Sequence, residues 1–151
     1  MPRTDEIRVG EIIGRNLLEC APDAPLHEAA RRMSERRVSS ILVVEDDRVV
    51  GIWTERDALR VDFDDLATFA LPVRAVMSSP VRTVSVATPL HELTVRFREE
   101  HVRHYVVEDE AGRRVGIVSQ TDVVLNQGIE QGYFDKDINV DLVYRFSGPP
   151  G

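Results

Sequence analysis

Residues that cross-link a chain or bind metal are scarce in this sequence. Its 151 residues include a single cysteine, Cys20. One cysteine cannot form an internal disulfide, and alone it cannot build a zinc site, which needs about four ligands. We therefore interpret Cys20 as a small apolar strand residue, and the sequence predicts no metal site.

Long hydrophobic runs and an excess of positive charge are also missing. No apolar stretch approaches the roughly 18 residues that predict a membrane span, and the N-terminus lacks the apolar core of a secretory signal, so we expect a cytoplasmic protein. The 19 Lys and Arg are outnumbered by 26 Asp and Glu, and the net charge of −7 disfavours nucleic acid as a partner. A hydrophobic content of 42% is enough to fill a core, so the chain is expected to be globular.

Catalytic motifs are the third absence. The sequence contains no nucleophile, base and acid at a recognisable spacing, no Gly-rich phosphate loop ending in Gly-Lys, and no cluster of His and Cys with metal-ligand spacing. An enzyme is therefore the least favoured class of function.

An internal repeat organises the chain. The segment Pro-Leu-His-Glu at 25–28 returns at 89–92, an offset of 64 residues. The segment Val-Gly-Ile-Trp-Thr-Glu-Arg-Asp at 50–57 matches Val-Gly-Ile-Val-Ser-Gln-Thr-Asp at 115–122, an offset of 65. The single added residue falls in a predicted hairpin turn, where insertions are tolerated. The chain is therefore built from two copies of one unit.

The repeat divides the chain into four parts. The first copy spans residues 8–61 and the second spans 72–127, and each is so small that the two are expected to share a core. Residues 62–71 form a connector that is expected to pack down as a short helix. The tail, 128–151, contains a β-prone run at 140–146. Adding a strand, pairing with a partner chain and beginning a further domain are the open alternatives for this run.

Each copy predicts the same order of elements, namely strand, helix, strand, strand and helix. Short apolar runs predict the strands, and an acidic hairpin turn joins the last two strands of each copy. The predicted strands lie at 17–21, 41–44, 49–53, 81–86, 105–107 and 115–118. The predicted fold class is therefore mixed α/β (α+β), with two β-α-β-β-α units.

Apolar residues at helical spacing predict which helix faces are buried. In the first helix of each copy the predicted buried residues are Leu26, Ala29, Ala30, Met33, Leu90, Leu93 and Phe97. The second helices are predicted to begin at Thr54 and Ser119, and to turn residues 58–59 and 123–125 inward.

The two strand-to-helix junctions carry the most chemical information. Both read Gly-Ile-x-Ser/Thr-x-x-Asp, with Thr54 and Asp57 in the first copy and Ser119 and Asp122 in the second. One interpretation is a capping box, in which the hydroxyl and the carboxyl each bond a backbone amide. The other is a ligand site, because a helix N-terminus attracts phosphate and a carboxylate accepts hydrogen bonds from the vicinal hydroxyls of a ribose. The sequence leaves both interpretations open.

Each copy of this motif follows a hairpin that has two valines in its first strand and an acidic turn. With this doubled motif, the chain resembles a tandem pair of CBS domains across residues 8–127. The resemblance implies two units packed through their sheets about a pseudo-two-fold axis, with two clefts between them and pairing into flat homodimers. It also implies binding of an adenosine-containing ligand, such as AMP, ADP, ATP or S-adenosylmethionine, without catalysis. Ligand binding in the family controls an attached or associated enzyme, channel or transporter.

The resemblance assigns roles to individual residues. Asp57 and Asp122 would bind ribose hydroxyls, and Thr54 and Ser119 would face the ribose and the phosphate. Thr83, in the first strand of the second copy, matches a family threonine near the base.

The two copies differ at positions that the resemblance makes important. The first copy has Glu19 where the second has Thr83, so equal occupancy of the two clefts is not expected. At the start of the second strand, the second copy has Arg103 and His104, which would contact phosphate, whereas the first copy has only the neutral Ser39–Ser40. A solvated surface cation is the alternative for Arg103.

Two classes of function therefore compete. The first is a regulatory module that senses an adenosyl ligand and controls a partner enzyme or an attached output domain in signalling. The second is a ligand-free dimerisation scaffold, in which both motifs only cap helices. A response of the unfolding temperature to adenosyl compounds separates the two.

Overall fold

The computed structural model describes residues 7–14 and 16–130, so the predicted β-prone run in the tail lies outside the described residues. Within this part the strands are β1 (Glu19–Cys20), β2 (Ser40–Glu45), β3 (Arg48–Thr54), β4 (Arg82–Ser85), β5 (His104–Glu108) and β6 (Arg114–Ser119). The α-helices of the same part are α1 (Leu26–Arg36), α2 (Glu55–Ala58), α3 (Leu90–Glu100) and α4 (Gln120–Glu130). Each repeat has the order strand, helix, strand, strand, helix, which confirms the predicted mixed α and β fold. Among the described helices, none is long and apolar enough to cross a membrane.

The described strands form two three-stranded sheets, each with its strands in chain order. In the first sheet, β1 runs parallel to β2 with Glu19 opposite Leu42, and β2 runs antiparallel to β3. Asp46 and Asp47 form the tight turn between β2 and β3, and both have the positive φ that such two-residue turns require. The connection between β5 and β6 is longer, at residues 109–113, and includes Gly112 at φ 78°. The change of repeat offset is therefore located in a turn, as the sequence predicts.

The described chain divides into two compact units. The N-terminal unit contains residues 14–83 and 115–117, and the C-terminal unit contains residues 7–13, 84–114 and 118–130. Each unit thus combines most of one repeat with the opening segment of the other.

Each opening segment is anchored by a short 3-10 helix. These helices are Val9–Glu11 and Val73–Ala75. In the C-terminal unit, the amide of Val9 donates to the carbonyl of Thr88 at 2.8 Å. In the N-terminal unit, the amide of Val73 donates to the carbonyl of Ala24, also at 2.8 Å. Both valine side chains are fully buried, so apolar burial and backbone hydrogen bonds together hold each segment in its unit.

Helices α1 and α3 begin and end with the same kinds of residue. Pro25 and Pro89 precede their first residues, where the fixed φ of proline suits a helix start. Arg37 and His101 follow their last residues in the left-handed conformation, both at φ 55°. A left-handed residue at this position turns the chain out of the helix.

The buried faces of α1 and α3 follow the predicted spacing with one exception. The buried residues are Leu26, Ala29 and Met33 in α1 and Leu90, Leu93 and Phe97 in α3. The prediction that Ala30 belongs to the buried face is wrong, because its side chain is exposed. Helical residues are about 100° apart, so Ala30 lies about 60° from Met33, at the margin of the buried arc.

The second helices depart from the predicted burial. Leu59 is predicted to face inward but is 79% exposed, because α2 ends after one turn and Leu59 only caps it. In α4, Val123 and Leu125 are buried, whereas Val124 is 63% exposed. Three consecutive helical residues span about 200°, so they cannot all face one core.

The connector contains a short 3-10 helix, as the sequence predicts. This helix is Leu66–Ala70, and Oδ1 of Asp65 caps it by accepting from the amide of Ala67 at 3.0 Å. Thr68 is buried. We expected the apolar second half of the connector to pack against the protein. This expectation is wrong for Leu66, which is 83% exposed. A helix this short turns one edge inward and leaves the side chains of its other edges outside.

Trp53 and Cys20 belong to the hydrophobic core of the N-terminal unit. Their side chains are packed in a cluster with Leu18, Leu26, Ala29, Met33, Ile41, Val43 and Val73. Burial raises the pKa of the Cys20 thiol to about 11, which keeps it protonated and unreactive. Cys20 is thus a buried strand residue, as predicted.

Candidate functional site

The first strand-to-helix motif folds into a complete capping box. Thr54, the last residue of β3, precedes the first turn of α2. The amide of Asp57 donates to Oγ1 of Thr54 at 3.1 Å, and the amide of Thr54 donates to Oδ2 of Asp57 at 3.0 Å. The Thr54 hydroxyl also donates to Oδ2 at 3.1 Å. Both residues are only 7% exposed, so the pair is largely withdrawn from water.

A third residue, Ser78, also forms a hydrogen bond with the carboxyl of Asp57. The hydroxyl of Ser78 donates to Oδ1 of Asp57 at 2.9 Å. Two backbone hydrogen bonds fix Ser78 against Ile52 of β3, one in each direction, at 2.8 and 2.9 Å. All three hydrogen bonds that the Asp57 carboxyl accepts from described residues therefore come from the N-terminal unit.

The second motif forms the same backbone pattern with fewer bonds to the carboxyl. The amide of Ser119 donates to Oδ2 of Asp122 at 2.7 Å, and the amide of Asp122 donates to Oγ of Ser119 at 3.1 Å. Within the described part of the chain, Ser119 alone bonds this carboxyl, and Oδ1 accepts no hydrogen bond. Asp122 is partly exposed, unlike Asp57.

Burial sets the electrostatics of the second motif. It raises the pKa of the Asp122 carboxyl above its ordinary value, because a charged carboxylate loses hydration there. The hydrogen bonds from Ser119 oppose this shift, since they stabilise the charged form. The charged Asp122 is thus incompletely solvated, and a donor brought to Oδ1 would supply part of the lost hydration.

A backbone hydrogen bond brings Arg103 next to the second motif. The amide of Gln120, the first residue of α4, donates to the carbonyl of Arg103 at 3.2 Å. The first repeat has the same bond, from the amide of Glu55 to the carbonyl of Ser39 at 3.0 Å. Arg103 is exposed, and its guanidinium has the chemistry to bind an anion. The corresponding residue beside the first motif is a neutral serine.

The remaining candidates occupy the strands where the sequence predicts them. Thr83 lies in β4 with an exposed side chain, and Glu19 lies in β1. His104 is the first residue of β5 and is partly buried. Within residues 7–14 and 16–130, neither Thr83 nor His104 donates a hydrogen bond to Asp57 or Asp122.

Ser78 is not among the site residues predicted from the sequence. It lies 21 residues from Asp57, and an isolated bridge to Ile52 brings it there. The repeat offers one signal, because the residue that corresponds to Ser78 at the offset of 64 is Gly14. Gly14 forms an equivalent isolated bridge with Ile117, the counterpart of Ile52. At this paired position the first motif has a serine that bonds its aspartate, whereas the second motif has a glycine that cannot.

Comparison with solved structures reveals close relatives of the whole fold. An uncharacterised conserved protein of Pyrococcus horikoshii shares 30% identity at a TM-score of 0.69, covering 82% of this chain and 93% of that one. A CBS domain protein of Pyrobaculum aerophilum, solved in complex with AMP, shares 27% identity at a TM-score of 0.62. That match covers 80% of this chain and 97% of the relative.

The curated relatives are longer than the stretch over which they match this chain. An uncharacterised protein of Methanopyrus kandleri is 29% identical over 120 residues, which is 78% of this chain and 61% of that protein. The chain spans only 38% and 23% of the next two relatives, a protein of Methanocaldococcus jannaschii and the inosine-5'-monophosphate dehydrogenase of Thermoplasma acidophilum. The stretch that matches this chain is therefore part of longer proteins in these relatives.

The family itself is identified by a direct match. The CBS domain model matches the chain twice, at residues 9–64 and 73–127. These two stretches cover most of the chain and contain both strand-to-helix motifs. The chain therefore belongs to the CBS domain family and carries the domain as a tandem pair.

Proposed function

We propose that this chain is a regulatory module that binds AMP, ADP, ATP or S-adenosylmethionine and controls a partner enzyme or an attached output domain. The carboxyl of Asp122 carries the proposal, because it is held at the start of α4 with Oδ1 unbonded in the described part of the chain. Family membership and the AMP complex of the Pyrobaculum aerophilum relative support the class of ligand. The proposed role is binding, without catalysis.

Asp122 has the chemistry that a ribose requires. The bond from the Ser119 amide fixes the orientation of the carboxyl. A carboxylate has about four acceptor positions, two on each oxygen, so those on Oδ1 are sufficient for the two hydroxyls of a vicinal diol. Each such bond is strengthened by the partial burial of Asp122, because screening by water is weaker there. The Ser119 hydroxyl lies beside the same carboxyl and would face the ribose and the phosphate.

The start of α4 and the side chain of Arg103 supply positive potential for a phosphate. Helix α4 has 11 residues, and the N-terminus of such a helix carries a partial positive charge. Arg103 is exposed and is tied by its carbonyl to Gln120, the first residue of that helix. A guanidinium binds phosphate through paired, charge-assisted hydrogen bonds. We assign His104 to the same phosphate contact and Thr83 to the base.

The binding free energy needed for regulation is small. A ligand that shifts two equally populated states to roughly 10:1 must favour one of them by about 1.4 kcal/mol. One charge-assisted hydrogen bond made in only one state supplies about that amount. A single phosphate contact to Arg103 is therefore enough for a regulatory response. These ligands are soluble metabolites of the cytoplasm, which is the location we propose.

Thermal unfolding tests the proposal. AMP, ADP, ATP and S-adenosylmethionine are added to the full chain over a range of concentrations, and at least one is expected to raise the unfolding temperature saturably. Asp122→Ala is expected to remove most of this rise. Glu110→Ala is the matched control, because it removes an exposed carboxylate of the same unit and is expected to keep the full rise. The absence of a rise with all four compounds would contradict the proposal.

A dimerisation scaffold is the second candidate, and exposed apolar side chains favour it. We define the connector surface as Leu59, Phe63, Leu66 and Phe69, which are 79%, 51%, 83% and 36% exposed. The rings of Phe63 and Phe69 contact each other with centroids 5.8 Å apart. Exposed apolar side chains gathered in one stretch are typical of an interaction surface. We therefore propose that two copies pair through this surface into a homodimer, which is compatible with ligand binding.

A further inference from the structure

The two carboxyls that the family resemblance assigns to ribose, those of Asp57 and Asp122, differ in how many acceptor positions are already used. A carboxylate has about four such positions. Asp57 uses three, because Oδ2 accepts from the amide and hydroxyl of Thr54 and Oδ1 accepts from the hydroxyl of Ser78. Asp122 is bonded only by Ser119 among the described residues, and its Oδ1 is unbonded. One carboxyl is thus nearly saturated by the protein itself.

The segment that carries Ser78 is fixed from two sides. The backbone of Ser78 exchanges hydrogen bonds of 2.9 and 2.8 Å with Ile52. The preceding residue, Met77, packs so closely on Gly51 that a Cβ at that glycine would overlap the sulfur. Both contacts are with β3, the strand that ends in Thr54. The hydroxyl of Ser78 is therefore held within reach of Asp57 by the main chain.

The second repeat has no counterpart of this hydroxyl. Gly14 corresponds to Ser78 and bridges Ile117, as Ser78 bridges Ile52. Glycine has no side chain that could donate a hydrogen bond, and a Cβ built on Gly14 would meet no atom within 4 Å. The repeats thus keep the same backbone bridge and differ by a single hydroxyl group.

From this difference we propose that the hydroxyl of Ser78 occupies an acceptor position of Asp57 that a ribose would need. The chain then binds one ribose-bearing ligand, at Asp122. The inference rests on the proposed function and adds the site and the stoichiometry to it. A vicinal diol needs two acceptor positions, and Asp57 offers one unless the Ser78 hydroxyl is displaced. Losing a hydrogen bond to a charged group weakens binding at Asp57 by about tenfold or more.

Calorimetric titration of the full chain with AMP tests the inference. The wild type is expected to bind one equivalent of AMP, with binding at Asp57 weaker by about tenfold or more. Ser78→Ala removes the competing hydroxyl and is expected to reveal a second equivalent. Ser78→Thr is the matched control, because it keeps a hydroxyl on Cβ and should remain at one equivalent. Two equal equivalents in the wild type would overturn the inference.

A second pair of variants assigns the new equivalent to Asp57. In an Asp122→Ala background only the first motif is left, so its affinity is measured alone. Adding Ser78→Ala to this background is expected to strengthen AMP binding about tenfold, whereas adding Ser78→Thr should not. Unchanged affinity in both double variants overturns the inference. Ser78→Gly introduces the residue that the other repeat has at the corresponding position. It replaces Ser78→Ala in these measurements if Ser78→Ala does not fold.

The failure of the inference is distinguishable from the failure of the proposed function. If the wild type binds AMP at Asp122 and the Ser78 variants bind identically, only the single-site inference is wrong. If neither the wild type nor Ser78→Ala binds any of the four adenosyl compounds, the proposed function is wrong and the inference falls with it.

Discussion

The hydroxyl of Ser78 lies 2.9 Å from Oδ1 of Asp57, a carboxyl 21 residues away in the sequence. Asp57 is therefore held by Ser78 in addition to its own capping box with Thr54. In the second repeat, Asp122 has the capping partner Ser119 and no equivalent of Ser78 among the described residues. Two motifs with nearly the same sequence thus differ in the hydrogen bonds that their carboxyls already accept.

Arg103 should determine how strongly the protein prefers phosphorylated ligands. Arg103→Gln removes the guanidinium and is expected to reduce the ratio of AMP affinity to adenosine affinity by about tenfold or more, because charge-assisted hydrogen bonds to phosphate are lost. Calorimetric titration with AMP and with adenosine measures the ratio. Arg113→Gln, which removes an exposed cation in the β5–β6 connection, is the control. An unchanged ratio in Arg103→Gln would leave Arg103 as a solvated surface cation.

The raised pKa of Asp122 predicts a specific dependence of stability on pH. A carboxyl whose pKa is higher in the folded state binds protons more tightly when folded, so its contribution to stability becomes more favourable as pH falls. The gain develops as pH falls through the raised pKa and is complete below the ordinary value of 3.8. Without ligand, the free energy of unfolding of the wild type, measured relative to Asp122→Asn, is therefore expected to increase from neutral pH towards pH 4. Urea unfolding at several pH values measures this difference, and a decrease over the same range would contradict the prediction.

The contact between Gly51 and Met77 should make this glycine hard to replace. A Cβ at Gly51 would overlap the sulfur of Met77, so Gly51→Ala is expected to lower the free energy of unfolding by about 1–3 kcal/mol. Gly14→Ala is the matched control, because a Cβ there would meet no atom within 4 Å, and it should change stability by less than about 0.5 kcal/mol. Urea unfolding measures both. Adding Met77→Ala should reduce the cost of Gly51→Ala, and equal costs with and without it would show that the overlap is not the cause.

Self-association should depend on the connector surface. Leu66 is 83% exposed, and burying such a side chain in an interface contributes about 1.5–3 kcal/mol. Leu66→Glu is therefore expected to weaken the homodimer at least about tenfold, as measured by sedimentation. Val95→Glu changes a partly exposed apolar residue of α3 and is expected to leave the association unchanged. Equal effects of the two substitutions would indicate that the chains pair elsewhere or not at all.

The order of elements could be predicted from the sequence because it depends on local patterns. Short apolar runs predicted the strands, and helical spacing predicted buried residues of α1 and α3, including Leu26 and Phe97. The errors at Leu59 and Val124 arose where apolar residues are adjacent, because the pattern then does not specify a direction. Capping of α2 by Thr54 also followed from local spacing.

The partner of Asp57 could not be predicted in the same way. Ser78 approaches Asp57 through an isolated bridge with Ile52, which involves one residue on each side and leaves no periodic pattern in the sequence. The anchoring of Val9 beside Thr88 depends on similar contacts between distant segments. Such contacts are decided by how complete elements pack, so they become visible only in the folded chain.

Ribose recognition by Asp122 is tested most directly by pairing a change in the protein with a change in the ligand. The affinities of the wild type and of Asp122→Ala are measured for AMP and for 2′,3′-dideoxy-AMP, which lacks both hydroxyls. The wild type is predicted to prefer AMP by about tenfold or more, and Asp122→Ala is predicted to lose this preference, because the same hydrogen bonds are absent in either case. Equal affinity of the wild type for the two nucleotides, or a preference that survives Asp122→Ala, would contradict the assignment of ribose binding to Asp122.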